Sequence, residues 1–478
     1  MKPSKILAFM AVVMTAIAAA GYIIPDEGIG VGDTRIRMAS LHSIVETRQA
    51  TQDTPNTQES TVREDTPLPH PTTGDSVALY RNRVNNGPQR LWLPDAHYLD
   101  AFWHNVETAR RTGRTIRILH YGDSQIEMDR MSSRLRIGMQ RHFGGGGPGM
   151  IPFHTITPSL TVRQSTSGEL VHLSSFGDST VVRSRGDYGP MMQCFRMAEG
   201  TASTTLRGAQ TKGVDERAKR FSTVTLLYNN RGSRFVATLS DRRNKTELPK
   251  LSTTERGIGS FTWKTDSTSD NIRLNVQGNA DLYGVLVDNG PGVAVDNIPM
   301  RGCSGQQFTL IPAEKLGAAY SKMDVGLIIL QFGGNSIPYL KNEKQISTYC
   351  QSIGRQIEHL HKCCPKAKIL FIGPSDMSTR VAGKMQTYPM LPQLVDSLAA
   401  TATAHGAAFW SIYHSMGGYG SMAEWSRQGL AGSDYIHFTQ RGADMTGDRL
   451  WETLYNSYRL YIHEKKQARP LSTKPRRR

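Results

Sequence analysis

A change of hydrophobic period along the chain restricts what it can fold into. The segment TIRILHYGDS, starting at Thr115, is an apolar run that stops at a Gly-Asp turn and leads into the helical pattern MDRMSSRLRIGMQRHF. Strand, turn and helix in that order predict the opening of an α/β domain. From about Pro152 to Asn289 the pattern becomes short alternating runs rich in Thr, Val, Ser and Gly: LTVRQS, TVVRS, STVTLLYN, RFVATLS, GSFTWKT, IRLNVQG and LYGVLVDN. That period of two, broken by Gly, Asn and Asp turns, predicts a complete antiparallel β-sandwich inserted into the α/β domain. The longer period then returns, with the strands DVGLIILQF, AKILFIG and AAFWSIY alternating with helices at KNEKQISTYCQSIGRQIEHLHKC, around Leu391 to His405, and from about Thr439 to His463. Such a series favours a mostly parallel sheet wrapped by helices.

The ends read differently. MKPSKILAFMAVVMTAIAAAGYII carries two lysines and then an almost uncharged run from Ile6 to Ile24, which predicts an export signal or an uncleaved signal anchor over residues 1–24. Residues 25–85 are rich in Thr, Asp, Glu, Gln and Pro and are expected to be a disordered linker. The α/β domain is then expected over 86–151 and 290–463, the insertion over 152–289, and a basic tail over 464–478.

Lysine and arginine number 57 against 41 aspartate and glutamate, a net charge of +16, but seven of the basic residues fall in the last fourteen positions. The folded part is therefore only moderately basic, so nucleic acid is not an expected partner and the tail is read as solvated. The five cysteines show no C-x-x-C and no spacing with histidine that holds zinc, and no metal site is predicted. Cys350, Cys363 and Cys364 fall in a helical pattern as small hydrophobes.

Ser124 sits at the end of the first expected parallel strand, where open α/β sheets place their ligands; an N-capping role is the alternative on position alone. In SDYIHF, Asp434 and His437 lie three residues apart on a loop before the last helix. A histidine that takes a serine proton needs a carboxylate on its other nitrogen, and this spacing supplies both from one turn. Asn335 in FGGNS and Gly302 in NIPMRGCSG are candidate donors to an oxyanion. The chain lacks G-x-S-x-G, H-E-x-x-H and G-x-x-x-x-G-K-[ST], which argues against an α/β-hydrolase elbow, a zinc protease and a P-loop. GGGGPG follows a helix and is read as a flexible active-site rim or helix C-terminus. Tyr419 and Trp425 are candidates to stack on a sugar, or to pack in the core.

Taken together, GDS at Gly122 to Ser124, the glycine block at Gly302, G-x-N at Gly333 to Asn335 and D-x-x-H at Asp434 to His437 resemble, in order, the four blocks of the SGNH or GDSL hydrolases. The similarity is greater to a branch of bacterial peptidoglycan O-acetylesterases that carry a carbohydrate-binding-like β-sandwich after the first block. It rests on HYGDSQIEMDRMSSRLR with GGGGPGMIPF, and on GGYGSMAEWSRQGLAGSDYIHFTQRG. Gln125 follows the serine where the family varies, Ser336 replaces the commoner Asp after the asparagine, and the insertion carries no motif of that branch.

The resemblance implies a three-layer α/β/α domain with Ser124 as nucleophile, His437 as base and Asp434 as its partner. The oxyanion donors it implies are the Ser124 N–H, the Gly302 N–H and the Asn335 amide. It also implies an exported, periplasmic or cell-envelope esterase that needs no cofactor, takes O-acetyl groups from a glycan such as peptidoglycan, and is tethered to the inner membrane if its signal is uncleaved. An O-acetyltransferase using the same triad, and an inactive glycan-binding protein, are the competing expectations.

Overall fold

The computed structural model describes residues 29–31, 34–36 and 73–468, apart from 178–182, 185, 212 and 382. The chain divides into two units, Met1–Pro71 and Thr72–Arg478. In the first, Ile29–Val31 and Thr34–Ile36 pair as an antiparallel hairpin. The signal or anchor expected over 1–24 lies outside the described residues, as do most of the linker and the tail beyond Ala468. Among the described residues no helix is long and apolar enough to cross a membrane.

In the second unit, six strands form one sheet: β1 (Leu91–Trp92), β2 (Thr115–Gly122), β3 (Gly292–Pro299), β4 (Val325–Gln331), β5 (Lys368–Gly373) and β6 (Ala408–Ser411). Their order is β3-β2-β4-β5-β6-β1, with every pairing parallel except that of β1 with β6. The strands are apolar on both faces because helices cover both. Leu327 and Ile329 of β4 join a core with α1 (Thr73–Asn85), α2 (Asp100–Ala109), α3 (Arg130–Phe143) and the C-terminal helix Gln440–Gln467. Ile328 and Leu330 point the other way, into a core with the helices Ala313–Tyr320, Glu343–Cys363 and Leu391–Ala404. The result is the expected three-layer α/β/α domain.

Helix α1 falls inside the stretch expected to be linker. Its buried residues Val77, Tyr80 and Val84 recur at helical spacing and join the core that includes Leu450 and Leu454 of the C-terminal helix. Three apolar residues in a polar segment are enough to dock a helix when a long partner face is waiting for them.

Among the described residues, the insertion and the strand Gly149–Ile151 just before it form one ten-stranded antiparallel sheet. Its longest strand, Asn271–Asp288, pairs through Ile272–Gln277 with Phe235–Asp241 and through Ala280–Asp288 with Phe221–Asn230, changing partners around Gly278. Gly278 has φ +126, and an added Cβ there would collide with the Arg234 carbonyl, so a side chain cannot be accommodated at the bend. The sheet folds over its own core: Phe235 and Phe261 lie on strands that do not pair, yet their rings stack at 5.9 Å. The run TVVRS, read as a further strand, lies mostly outside the described residues.

Sheet and insertion are joined by buried charge. Arg117 of β2 donates to Asp296 of β3 at 2.6 and 2.8 Å and to Asp288, the last residue of the insertion's long strand, at 2.7 Å. The glycine run does not line the active site. Added Cβ atoms at Gly145, Gly147 and Gly149 would strike the backbone of Val293, Val287 and Val295, so these glycines let the connection pass flat against the start of β3 and the end of the insertion.

Candidate active site

Strand β2 ends at Gly122, and Asp123 turns the chain into a short 3-10 segment, Ser124–Asp129, by accepting the Gln125 N–H at 3.0 Å. Met128 and Asp129 then take left-handed φ values of 59° and 68°. Such backbone is costly for non-glycine residues and persists only where its surroundings hold it. Here the buried Asp129 carboxylate is gripped by both terminal nitrogens of the buried Arg136 guanidinium.

The other half of the site comes from the loop before the C-terminal helix. Asp434 Oδ1 accepts the backbone N–H of Ile436 at 3.0 Å and of His437 at 3.1 Å, and Oδ2 lies 2.7 Å from His437 Nδ1. One carboxylate thus shapes the turn and orients the ring. Burial pushes the Asp434 carboxyl up, but the hydrogen bonds from the His437 ring and from the two N–H groups outweigh it and hold it below the usual carboxylate range. The other face of the ring meets the serine, with His437 Nε2 2.9 Å from Ser124 Oγ. Residues 313 positions apart are therefore linked as hydroxyl, imidazole and carboxylate, the arrangement a general base needs to take a proton from a serine.

The expected oxyanion donors are placed less uniformly. The Ser124 N–H and the Gly302 N–H make no hydrogen bond within the described residues, and of the two residues only Ser124 lines the cavity beside His437. Gly302 lies just beyond β3 at φ +74. Its neighbours are tied to the serine segment: the Met300 N–H donates to the Gly122 carbonyl at 2.7 Å, and Arg301 makes two 2.6 Å bonds with Glu127. The Asn335 amide is already engaged, donating to the Cys303 carbonyl at 3.0 Å and to Asp123 Oδ2 at 3.3 Å. To meet an oxyanion it must leave the longer contact, to Asp123. Burial pushes the Asp123 carboxyl up to about 6, against the bond from Gln125 and the field of His437.

Ser124, Asn335 and His437 line a cavity of about 200 Å³ together with Tyr339. Tyr339 is 76% exposed and follows Pro338 in a one-turn 3-10 segment, so its ring is presented rather than packed. Nothing in sequence spacing singled it out. Of the two aromatics that did stand out, Trp425 is core: it is buried against Phe438 at 5.2 Å and donates to the Met416 carbonyl. Tyr419 is exposed and does not line this cavity. Among the described residues no cluster of His, Cys, Asp or Glu is arranged to hold a metal.

Residues 259–445 match the GDSL-like Lipase/Acylhydrolase family. The match takes in Gly302, Asn335, Asp434 and His437 and begins inside the insertion, so the serine block is joined to it by the fold. That segment of the chain is similar to the GDSL-like lipases and acylhydrolases. A solved structure described as a peptidoglycan O-acetylesterase is similar over 77% of this chain and 99% of its own, at 21% identity and a TM-score of 0.61. A family two carbohydrate esterase from Clostridium thermocellum is similar over 61% of this chain and 98% of its own, at 10% identity and a TM-score of 0.23. No curated protein sequence matches the chain.

Proposed function

We propose that this protein is an exported serine esterase that removes O-acetyl groups from a cell-envelope glycan, peptidoglycan in particular. The observation that carries the reading is the continuous relay from Ser124 through His437 to Asp434, opening on a cavity. Ser124 Oγ attacks the acetyl carbonyl carbon while His437 Nε2 takes the hydroxyl proton. Asp434 fixes the imidazole and balances the charge it gains. The Ser124 and Gly302 N–H groups, joined by the Asn335 amide once it leaves Asp123, receive the oxyanion. The tetrahedral species collapses as His437 returns the proton to the departing sugar oxygen, leaving acetyl-Ser124. Water, deprotonated by the same histidine, then releases acetate.

The glycan follows from two supports: the described activity of the similar solved structure, and Tyr339, an exposed ring lining the same cavity as the serine, on which a sugar face can stack. Export, with a cell-envelope location, follows from the charged and then apolar opening of the chain.

The test is acetate release from O-acetylated peptidoglycan and from O-acetylated xylan, each with wild type and Ser124→Ala. The reading predicts release that is lost in Ser124→Ala and faster on peptidoglycan. Faster release from xylan would overturn the substrate, and release unchanged by Ser124→Ala would overturn the mechanism. Incubation with an acetyl ester and a chitooligosaccharide separates water from sugar as acceptor: acetylated sugar as the main product would replace hydrolysis with transfer.

A further inference from the structure

We infer that Gln125 is a positioning residue for the esterase reaction: its side-chain amide splices the segment carrying the base onto the segment carrying the nucleophile. The inference rests on the reading of Ser124 and His437 given above. Gln125 is covalently next to Ser124, and its buried side chain reaches the backbone on both sides of His437. Nε2 donates to the Ile436 carbonyl at 2.6 Å, and Oε1 accepts the Phe438 N–H at 3.2 Å. A carbonyl and an N–H two residues apart are what a neighbouring strand would bond, so the amide acts as one rung of a β-ladder in a loop that has no strand on that side.

The rest of the loop supports the same registration from elsewhere. Gly432 N–H donates to the His437 carbonyl at 2.8 Å, and Arg130 bonds the Ser124 carbonyl at 2.7 Å and the Phe438 carbonyl at 3.0 Å. Among the described residues only Gln125 brackets the base while being covalently next to the nucleophile. Its remaining contact, to Ser375 Oγ at 3.4 Å, is the longest it makes.

The chemistry demands glutamine. A shorter amide stops about one carbon–carbon bond short of the loop. An ionised glutamate keeps the acceptor for Phe438 but puts a negative oxygen against the Ile436 carbonyl. Protonated glutamic acid restores one donor and one acceptor. Methionine has nearly the same length and no polar atoms at the end, so it separates filling space from holding the loop.

The experiment measures kcat and KM for p-nitrophenyl acetate across pH for wild type, Gln125→Met and Gln125→Glu, with thermal melting of each. Wild-type turnover that vanishes in Ser124→Ala tests the underlying reading, and the Gln125 variants test the clamp separately. A displacement of about 1 Å between reacting groups costs on the order of 10²-fold, so Gln125→Met is expected to lose about that much in kcat with KM near wild type. For Gln125→Glu, the ratio of its kcat to the wild-type value should approach one at acidic pH and fall as the new carboxyl ionises. Asp123, Glu127, Arg130, Asp434 and His437 are the charged or titratable groups of this cluster, and their coupling to the new carboxyl sets the pH at which the ratio falls.

Wild-type kcat in Gln125→Met would reduce Gln125 to packing and overturn the inference. So would a Gln125→Glu deficit that does not change with pH while the protein stays folded. If Gln125→Met melts too early to assay, the pH dependence of Gln125→Glu decides alone, because an acidic recovery requires the hydrogen-bond pattern and not the volume.

Discussion

Replacing Asp434 with asparagine perturbs the relay while sparing most of the turn. The asparagine carbonyl can still accept the Ile436 and His437 N–H groups that Asp434 Oδ1 accepts at 3.0 and 3.1 Å. At the other atom, however, an N–H replaces the oxygen that faces His437 Nδ1 at 2.7 Å. Two donors cannot share that contact, so the imidazole must carry its proton on Nε2, facing Ser124, where it cannot act as base. The lost charge adds to the wrong tautomer. The side chains of His437 and Asp434 are 42% and 47% exposed, so the pair belongs to the screened regime. Through the wrong tautomer alone, an asparagine in place of the triad carboxylate costs on the order of 10³- to 10⁴-fold in rate, and the exposed setting of this pair places it at the lower end. The assay is kcat/KM for p-nitrophenyl acetate near neutral pH, paired with thermal melting. Asp434→Asn is expected to lose about 10³-fold with its melting temperature close to wild type. A loss within about fivefold, or one matched by a large drop in melting temperature, would refute the reasoning.

Arg117→Met should destabilise the protein by about 3–5 kcal/mol in urea unfolding, because it leaves the Asp288 and Asp296 carboxylates buried without their cation; a cost below about 1 kcal/mol would contradict that. Asp123 has a folded value of about 6 against the ordinary 3.8, so the folded form holds the proton more tightly and ionisation costs stability as pH rises through that window. Relative to wild type, Asp123→Asn should therefore gain up to about 3 kcal/mol between about pH 4 and about pH 7; a difference flat in pH would remove the burial argument. Tyr339→Ala should raise KM for an acetylated glycan about tenfold, the scale of one lost stacking contact, while sparing p-nitrophenyl acetate; equal effects on both substrates would show the ring is not a sugar platform.

The parts of this molecule that were legible in the sequence are those written in consecutive residues. GDS and D-x-x-H each place their groups within one turn, and the apolar runs from Thr115, Val325 and Lys368 are long enough to be strands in either context. The meeting of Ser124 with His437 was inferred from residue types, and the fold places them in hydrogen-bonding distance. What stayed hidden depends on distant backbone. Gln125 bonds to a carbonyl 311 positions away, and no spacing rule registers a side chain that pairs with main-chain atoms. Helix α1 was masked by its polar composition, since its stripe of Val77, Tyr80 and Val84 has meaning only against the C-terminal helix. Of the two readings of the glycine run, a flexible active-site rim or a helix C-terminus, the fold bears out the second: Gly144 caps the helix Arg130–Phe143, and the glycines after it answer close backbone approach at the junction with the insertion. The motif marks Asn335 as an oxyanion donor but says nothing of the two partners, the Cys303 carbonyl and Asp123, that the fold gives its amide.

The central claim is that Ser124 becomes acylated. Rapid quenching of the wild-type enzyme with an acetyl ester, followed by mass spectrometry of its peptides, tests this directly. The account predicts one added acetyl group on the peptide carrying Ser124, accumulating before steady state and missing in His437→Ala. Acetate produced at full rate with no acetylated peptide, or with the acetyl group on another residue, would contradict it.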